Sequence, residues 1–400
     1  MILSIYGISG VGKNALCEAI EKLTPCFKII DGASLMDELI PGGLNAFRSM
    51  SAIDKRNYRQ MVVREIESRH RHAPYHTIVT GHYSFPLSDS YEVAWTEADG
   101  DVYDLIFCIE ANLLQVQEQC EKDVLRRRAS LTTEQLCQWQ QFEIQGLELE
   151  CLKRATPFAK ITASDVRGRL VEFFRLFSRS LMSTISNDLV QNPGTKLSIF
   201  DCDKTLFSGD CLDYRGESGG IDQETVRACF RKRGAYCFES FFDMAEYYAS
   251  VPRDKMNAFI GRCIDSISLE PRMLEILRKH SEERKMIFLT SGFPDVWEAI
   301  AKRYGLEVLV IGGNDLARSG LVVSNEEKGL LVERLVKLGA DVMAFGDSMV
   351  DADMLKNSNQ AVVVVHRKLR QDLLEYLKEH KKLSVLDFRE NNSMGGIDAY

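Results

Sequence analysis

Short apolar runs alternate with longer amphipathic segments along most of the chain, and few folds satisfy that alternation. Apolar runs at 2–6, 27–30, 77–80, 105–109 and 159–162 read as strands, and a helical pattern over 166–185 closes this series. A second series has runs at 197–201, 285–290, 308–311, 342–345 and 361–365. Strands joined by long amphipathic connections are parallel, and a parallel sheet needs helices on both faces. Between the two series lies the polar segment 187–196, with Asn192-Pro193-Gly194 turn chemistry. The expectation is therefore α/β, with two doubly wound parallel-sheet domains over 1–186 and 197–390, a linker at 187–196 and a frayed tail at 391–400. The mostly helical stretch 206–284 is too long for a simple crossover, so it reads as an inserted cap.

Composition narrows the class. A chain of 400 residues suits two cores, and 45% hydrophobic with 27% charged residues is ordinary for a globular protein. A formal charge of -8 disfavours blanket binding of nucleic acid, while leaving room for a local basic groove. Eleven cysteines in odd number, with no Cys-x-x-Cys pair, read as reduced thiols buried as small hydrophobes. The first residues lack a basic stretch before their apolar run, and no run is long enough to span a bilayer, so the expected location is cytoplasmic.

Four separated pieces of the second half carry chemistry: Asp201-Cys202-Asp203-Lys204-Thr205, Thr290-Ser291-Gly292, Lys328-Gly329, and Gly346-Asp347 through Asp351. Each stands at the carboxyl end of a predicted strand or before a helix, where open parallel sheets place ligand sites. Residues two apart in a strand share a side, which would aim Asp201 and Asp203 at one substrate. Such carboxylates repel a phosphate unless cations intervene. Asp201, Asp347 and the backbone carbonyl of Asp203, with Asp351 nearby, suit magnesium, and Lys328 offsets charge on the phosphoryl group. Asp201 is then the nucleophile and Asp203 the acid and base. This set resembles the haloacid dehalogenase superfamily of phosphatases over the whole second half. The insertion is similar to the helical cap of the branch containing phosphoserine phosphatase. That branch grips its substrate carboxylate with an Arg on the cap helix, and 238–248 contains none, which argues against phosphoserine as substrate. Counting back from Tyr304-Gly305-Leu306 favours Thr290 as the catalytic hydroxyl, while the Ser-Gly pair favours Ser291. Thr290 is the choice, with Ser291 and Gly292 as phosphate ligands.

In the first half, Gly7, Ser9, Gly10, Val11, Gly12, Lys13 and Asn14 follow the first strand and open a helix. Glycines there free backbone N–H groups to wrap phosphates, the helix start favours an anion, and Lys13 reaches the terminal phosphates of ATP. The half resembles the archaeal-type adenylate kinase and related P-loop nucleotide kinases. That resemblance implies that 78–82 is the second nucleotide-site strand and that Arg126, Arg127 and Arg128 belong to a lid. Two positions depart from the family: Asn14 stands where Ser or Thr coordinates magnesium, and Thr80 where an acidic residue holds the metal through water. Asp31, with Asp37 beyond it, is the candidate metal partner or base, and Arg48, Arg56 and Arg59 the candidate acceptor-phosphate ligands. His70, His72 and His76 read as a polar helix end, without the acidic or Cys partners a metal site needs.

Together these features predict a bifunctional ATP-dependent kinase and magnesium-dependent phosphatase, acting on a nucleotide, nucleoside or related phosphorylated metabolite. Kinase followed by acid-pair phosphatase is also the order of phage polynucleotide kinase-phosphatase, which makes nucleic-acid ends the second candidate substrate. A third reading is a phosphatase regulated by a non-catalytic ATP-binding domain.

Overall fold

A computed structural model describes residues 1–114, 116–117, 131–214, 221–234, 236–314 and 316–389. The chain separates into two compact units, Met1–Leu176 and Phe177–Tyr400. Both are α/β, and each is built on a parallel sheet.

In the first unit, strands β1 (Ile2–Tyr6), β2 (Phe27–Asp31), β3 (His76–Thr80), β6 (Leu105–Ile109) and β7 (Phe158–Ile161) form a five-stranded sheet of order β2-β3-β1-β6-β7. Every residue of β1 and β6 is buried, as expected for strands covered on both faces. Beside it, β4 (Ser84–Pro86) and β5 (Tyr91–Val93) pair as an antiparallel hairpin, which the sequence pattern did not signal. Three-residue strands are too short to show a period, and Pro86 lowers the strand signal further. The main helices are α1 (Lys13–Leu23), α2 (Gly32–Leu39), α3 (Gly43–Arg48), α4 (Ala52–His70), α5 (Glu97–Val102) and α6 (Thr133–Arg154). Because β1 sits centrally and the chain crosses it between β3 and β6, its carboxyl end is a topological switch point. The lid arginines Arg126, Arg127 and Arg128 lie outside the described residues.

The second unit holds a six-stranded parallel sheet of order β10-β9-β8-β11-β12-β13. Its strands are β8 (Lys196–Phe200), β9 (Lys285–Thr290), β10 (Val308–Gly312), β11 (Asp341–Gly346), β12 (Gln360–Val365) and β13 (Leu383–Asp387). The edge strand β13 is an addition to the predicted set, half-exposed and without a continuous apolar run. The switch point falls between β8 and β11, where Phe200 and Phe345 stack with ring centroids 4.2 Å apart.

Two expected boundaries move. Helix α7 (Val166–Leu189) runs across the division between the units, because Met182 is buried in the second core with Leu197, Leu335 and Val342. The break therefore falls inside that helix and not in the polar segment after it. The insertion contains α8 (Gln223–Arg231), α9 (Phe238–Ser250), α10 (Arg253–Ser266) and α11 (Pro271–Glu283). Of these, α11 belongs with the sheet: His280 Nδ1 shares a 2.8 Å hydrogen bond with Ser198 Oγ on β8, and its ring stands edge-on to Phe200. A parallel β8–β9 pair needs such a crossover helix, so the cap proper ends before Pro271. After the insertion come α12 (Pro294–Arg303), α13 (Asn325–Lys337), α14 (Ala352–Asn357) and α15 (Gln371–Leu377).

Candidate active sites

The chain leaves β8 at Phe200, and the next residue, Asp201, donates its N–H to Phe345 O on β11 at 2.9 Å. Its carboxylate therefore stands over the switch point. Oδ1 accepts from Lys328 Nζ at 2.6 Å, and Oδ2 accepts from Thr205 Oγ1 at 3.2 Å. The same ammonium donates to Asp351 Oδ1 at 2.8 Å. Asp351 in turn ties down the loop after β11, because its Oδ2 accepts from the N–H groups of Asp347 and Ser348 at 3.2 and 3.3 Å. A Cβ on Gly346 would lie 2.5 Å from Cβ of Asp351, so only glycine admits this turn. Oxygens of Asp201, Asp347 and Asp351 all lie within 4.8 Å of one another.

Lys328 occupies the first turn of α13, the end where a helix dipole disfavours cations. It is also buried. Burial alone would lower its pKa, but Asp201 and Asp351 outweigh that and raise it. Asp201 and Asp347 also shift upward, which for a carboxyl favours the neutral form. Burial, then Asp351, raises Asp201 to about 6, against the pull of Lys328. Burial, then Asp351 and Asp201, raises Asp347 to about 8. Burial together with the neighbouring acids outweighs Lys328 and, at Asp347, Lys204 as well, and the crowded negative charge is what a hard cation would neutralise.

Asp203 departs from the strand argument. Because β8 has already ended, Asp201 and Asp203 lie in the following loop, where Lys204 adopts a left-handed φ of 62°. The Asp203 side chain is not part of the acidic trio and accepts from the Cys211 N–H at 2.7 Å through Oδ1. Its other oxygen faces the second motif: a Cβ on Gly292 would lie 3.2 Å from Asp203 Oδ2 and 3.1 Å from Thr290 Oγ1. Burial, then Asp210, raises Asp203 to about 7, which suits a proton donor at neutral pH. Thr290 Oγ1 accepts from Gly292 N–H at 2.8 Å, whereas Ser291 Oγ is buried without a hydrogen-bond partner among the described residues. Sequence reasoning gave Thr205 no role, although it stood inside the first motif.

In the first unit, Gly12 has a left-handed φ of 93°, and a Cβ there would lie 2.6 Å from Arg169 Nη1. Arg169 is buried, with Nη1 donating to Val11 O and Nε to Ala163 O at 2.8 Å, so it braces the loop from α7. No local pattern marks it in the sequence. Ser9, Gly10, Val11, Gly12, Lys13 and Asn14 line a cavity of about 680 Å³. Lys13 Nζ rests on carbonyls of its own loop, Gly7 O and Ile8 O, with His82 Nε2 at 3.4 Å.

The same cavity receives Asp31, Arg48 and Arg59, but Asp37 and Arg56 are not among its lining residues. Asp31 caps α2 by accepting the Ser34 N–H at 2.8 Å, and Asp37 accepts from Leu44 N–H at 2.8 Å. Arg59 pairs with Glu92 at 2.7 Å, and Arg56 pairs with Glu97 outside. The apolar wall includes Met36, Phe47, Val62, Val63 and Tyr103. His70 and His76 share hydrogen bonds with the amino group of Met1 and lie in no metal-binding group among the described residues. No helix among those residues is long and apolar enough to cross a membrane.

Residues 199–356 match the family model of haloacid dehalogenase-like hydrolases, and residues 6–137 match a model described as an AAA domain. Several solved structures resemble part of the chain. A phospho-aspartyl intermediate analogue of phosphoserine phosphatase is 18% identical, covers 48% of this chain and 93% of that one, and has a TM-score of 0.37. A family hydrolase from Salmonella enterica is 18% identical, with 53% and 76% covered and a TM-score of 0.36. A probable phosphoserine phosphatase from Vibrio cholerae is 16% identical, with 49% and 62% covered and a TM-score of 0.35. No curated protein matches.

Proposed function

We propose that this chain, with a haloacid dehalogenase-like hydrolase domain in its second unit and a P-loop kinase-like domain in its first, is a bifunctional enzyme. Its second unit hydrolyses a phosphomonoester through a phospho-aspartate on Asp201, and its first transfers phosphate from ATP to a small acceptor. The observation that carries the phosphatase reading is the bridge made by Lys328 between Asp201 and Asp351, beside Asp347.

The donor set is three carboxylates with oxygens close together, which fits magnesium. When bound, magnesium neutralises the acids and the incoming phosphate. Thr205 and Lys328 hold the Asp201 carboxylate from two sides, which fixes the direction of its attack on phosphorus. Asp203, raised by burial, donates a proton to the leaving oxygen and then takes one from the attacking water. Ser291 Oγ, which has no hydrogen-bond partner among the described residues, holds a phosphoryl oxygen, while the N–H of Gly292 is engaged by Thr290 Oγ1.

In the first unit, the loop from Gly7 to Asn14 and Lys13 hold the ATP phosphates, with Asp31 as base toward the acceptor. Arg48 and the apolar wall of the cavity support a nucleotide, nucleoside or similarly sized metabolite as acceptor. The decisive variant is Asp201→Asn, measured with a panel of nucleotides, sugar phosphates and 3′- and 5′-phosphorylated oligonucleotides. Turnover should fall by roughly a thousandfold or more with the fold intact. Near-normal turnover would sink the mechanism, and a preference for oligonucleotide ends would replace the small-molecule reading.

A further inference from the structure

Glu143 sits in the middle of α6 with 0% exposure, an unusual place for a carboxylate. Its Oε1 accepts the Tyr83 N–H at 3.0 Å and stands 4.0 Å from Nδ1 of His82. Oε2 is buried and makes no hydrogen bond among the described residues. The titratable groups that face it are Lys13 on α1, His82 after β3, Tyr6 on β1 and Cys108 on β6. Burial raises Glu143 to about 7, while Lys13 and the N–H groups of Tyr83 and Gly7 pull it down.

His82 lines the cavity and stacks on Trp139, ring centroids 6.1 Å apart. Its Nε2 faces Lys13 Nζ at 3.4 Å. An ammonium has no lone pair, so Nε2 accepts in that contact and the ring proton of neutral His82 belongs on Nδ1, the nitrogen facing Glu143. Lys13 and His82 are thus in hydrogen-bond contact, and Glu143 stands deeper in the core, at ion-pair distance from Nδ1 and beyond hydrogen-bond reach of it. At the end of β3, Thr80 supplies no carboxylate for this role.

We propose that Glu143 is the positioning residue of the loop site: it holds His82 with its proton on Nδ1 and keeps Nε2 aimed at Lys13 and the bound phosphates. This rests on reading the loop as a nucleotide site. When ATP draws Lys13 onto its phosphates, Nε2 loses the Lys13 contact and faces anionic oxygens. A proton taken from solvent onto Nε2 then gives an imidazolium flanked by phosphate and by Glu143; no other bond forms or breaks.

Nitrogen-15 NMR of histidine-labelled full-length protein tests the pairing without nucleotide, with His82 assigned through His82→Gln. The expected tautomer carries its proton on Nδ1, and Glu143→Gln should lower the His82 pKa by about one unit. Calorimetry of magnesium-ATP binding near neutral pH, in two buffers of different ionisation enthalpy, tests the rest. The unmodified protein should take up a proton on binding; His82→Gln should bind ATP without uptake, and Glu143→Gln should take up less. A proton on Nε2, or a His82 titration unmoved by Glu143→Gln at an unchanged thermal melt, overturns the proposal. Should Glu143→Gln fail to fold, the tautomer in the unmodified protein decides alone. ATP binding without proton uptake sinks this proposal by itself, whereas no ATP binding at all sinks the nucleotide reading with it.

Discussion

Asp347 carries the clearest pH signature of any single residue. A carboxylate held at about 8 in the folded protein, above its ordinary value of roughly 4, favours folding while protonated. Its contribution is fully present below about pH 4 and is lost as pH rises towards 8. Without magnesium, Asp347→Asn should therefore gain stability over the unmodified protein as pH increases, measured by denaturant unfolding at pH 5 and pH 8. Magnesium should reverse that order. At a hundred times its dissociation constant a bound ion adds about 2.7 kcal/mol, which the Asn variant should largely fail to gain. An identical magnesium response in both proteins would exclude Asp347 as a ligand.

Among individual residues, Asp201, Lys328, Asp347 and Asp351 were legible because their chemistry sits at the ends of apolar runs in a fixed order. Asp203 was found for a reason that does not hold, since the strand ends before it. Arg169 and Glu143 escaped notice because each lies far along the chain from the loop it serves. Nothing in their neighbouring residues marks them, and only the packing of α7 and α6 brings them to the site.

At the scale of elements, the pair α13 and α14 sets the geometry of the phosphatase site, because Lys328 and Asp351 stand at their starts. A Cβ on Gly329 would lie 2.5 Å from Cβ of Asp353 and 3.3 Å from its backbone. Gly329→Val should separate the two helices and cost about 1–3 kcal/mol, the usual range for overpacking. Because Lys328 is the adjoining residue, turnover should fall further than the loss of folded protein explains. An unchanged thermal melt with full activity would show that the helices tolerate the side chain. The central strands were readable as apolar runs, whereas β4, β5 and β13 were too short or too exposed to leave a pattern.

For the whole molecule, each motif set lies within one unit, and that organisation predicts chemical independence. Lys13→Ala should abolish ATP binding yet leave hydrolysis of a small aryl phosphate by Asp201 within about twofold of normal, on the expectation that sites without shared residues act additively. Depressed hydrolysis with an unchanged melt would instead favour nucleotide regulation of the phosphatase. Helix α7 limits how the chain can be cut. A fragment begun at 196, where turn chemistry invites a scissor, would discard Met182 with the flanking Leu181, Ile185 and Leu189, and uncover the apolar floor they rest on. Such a fragment should precipitate or bind hydrophobic dyes, while one begun ahead of Phe177 should stay monodisperse, as size-exclusion chromatography would tell. The place where this polypeptide reads as divisible and the place where it comes apart cleanly are different.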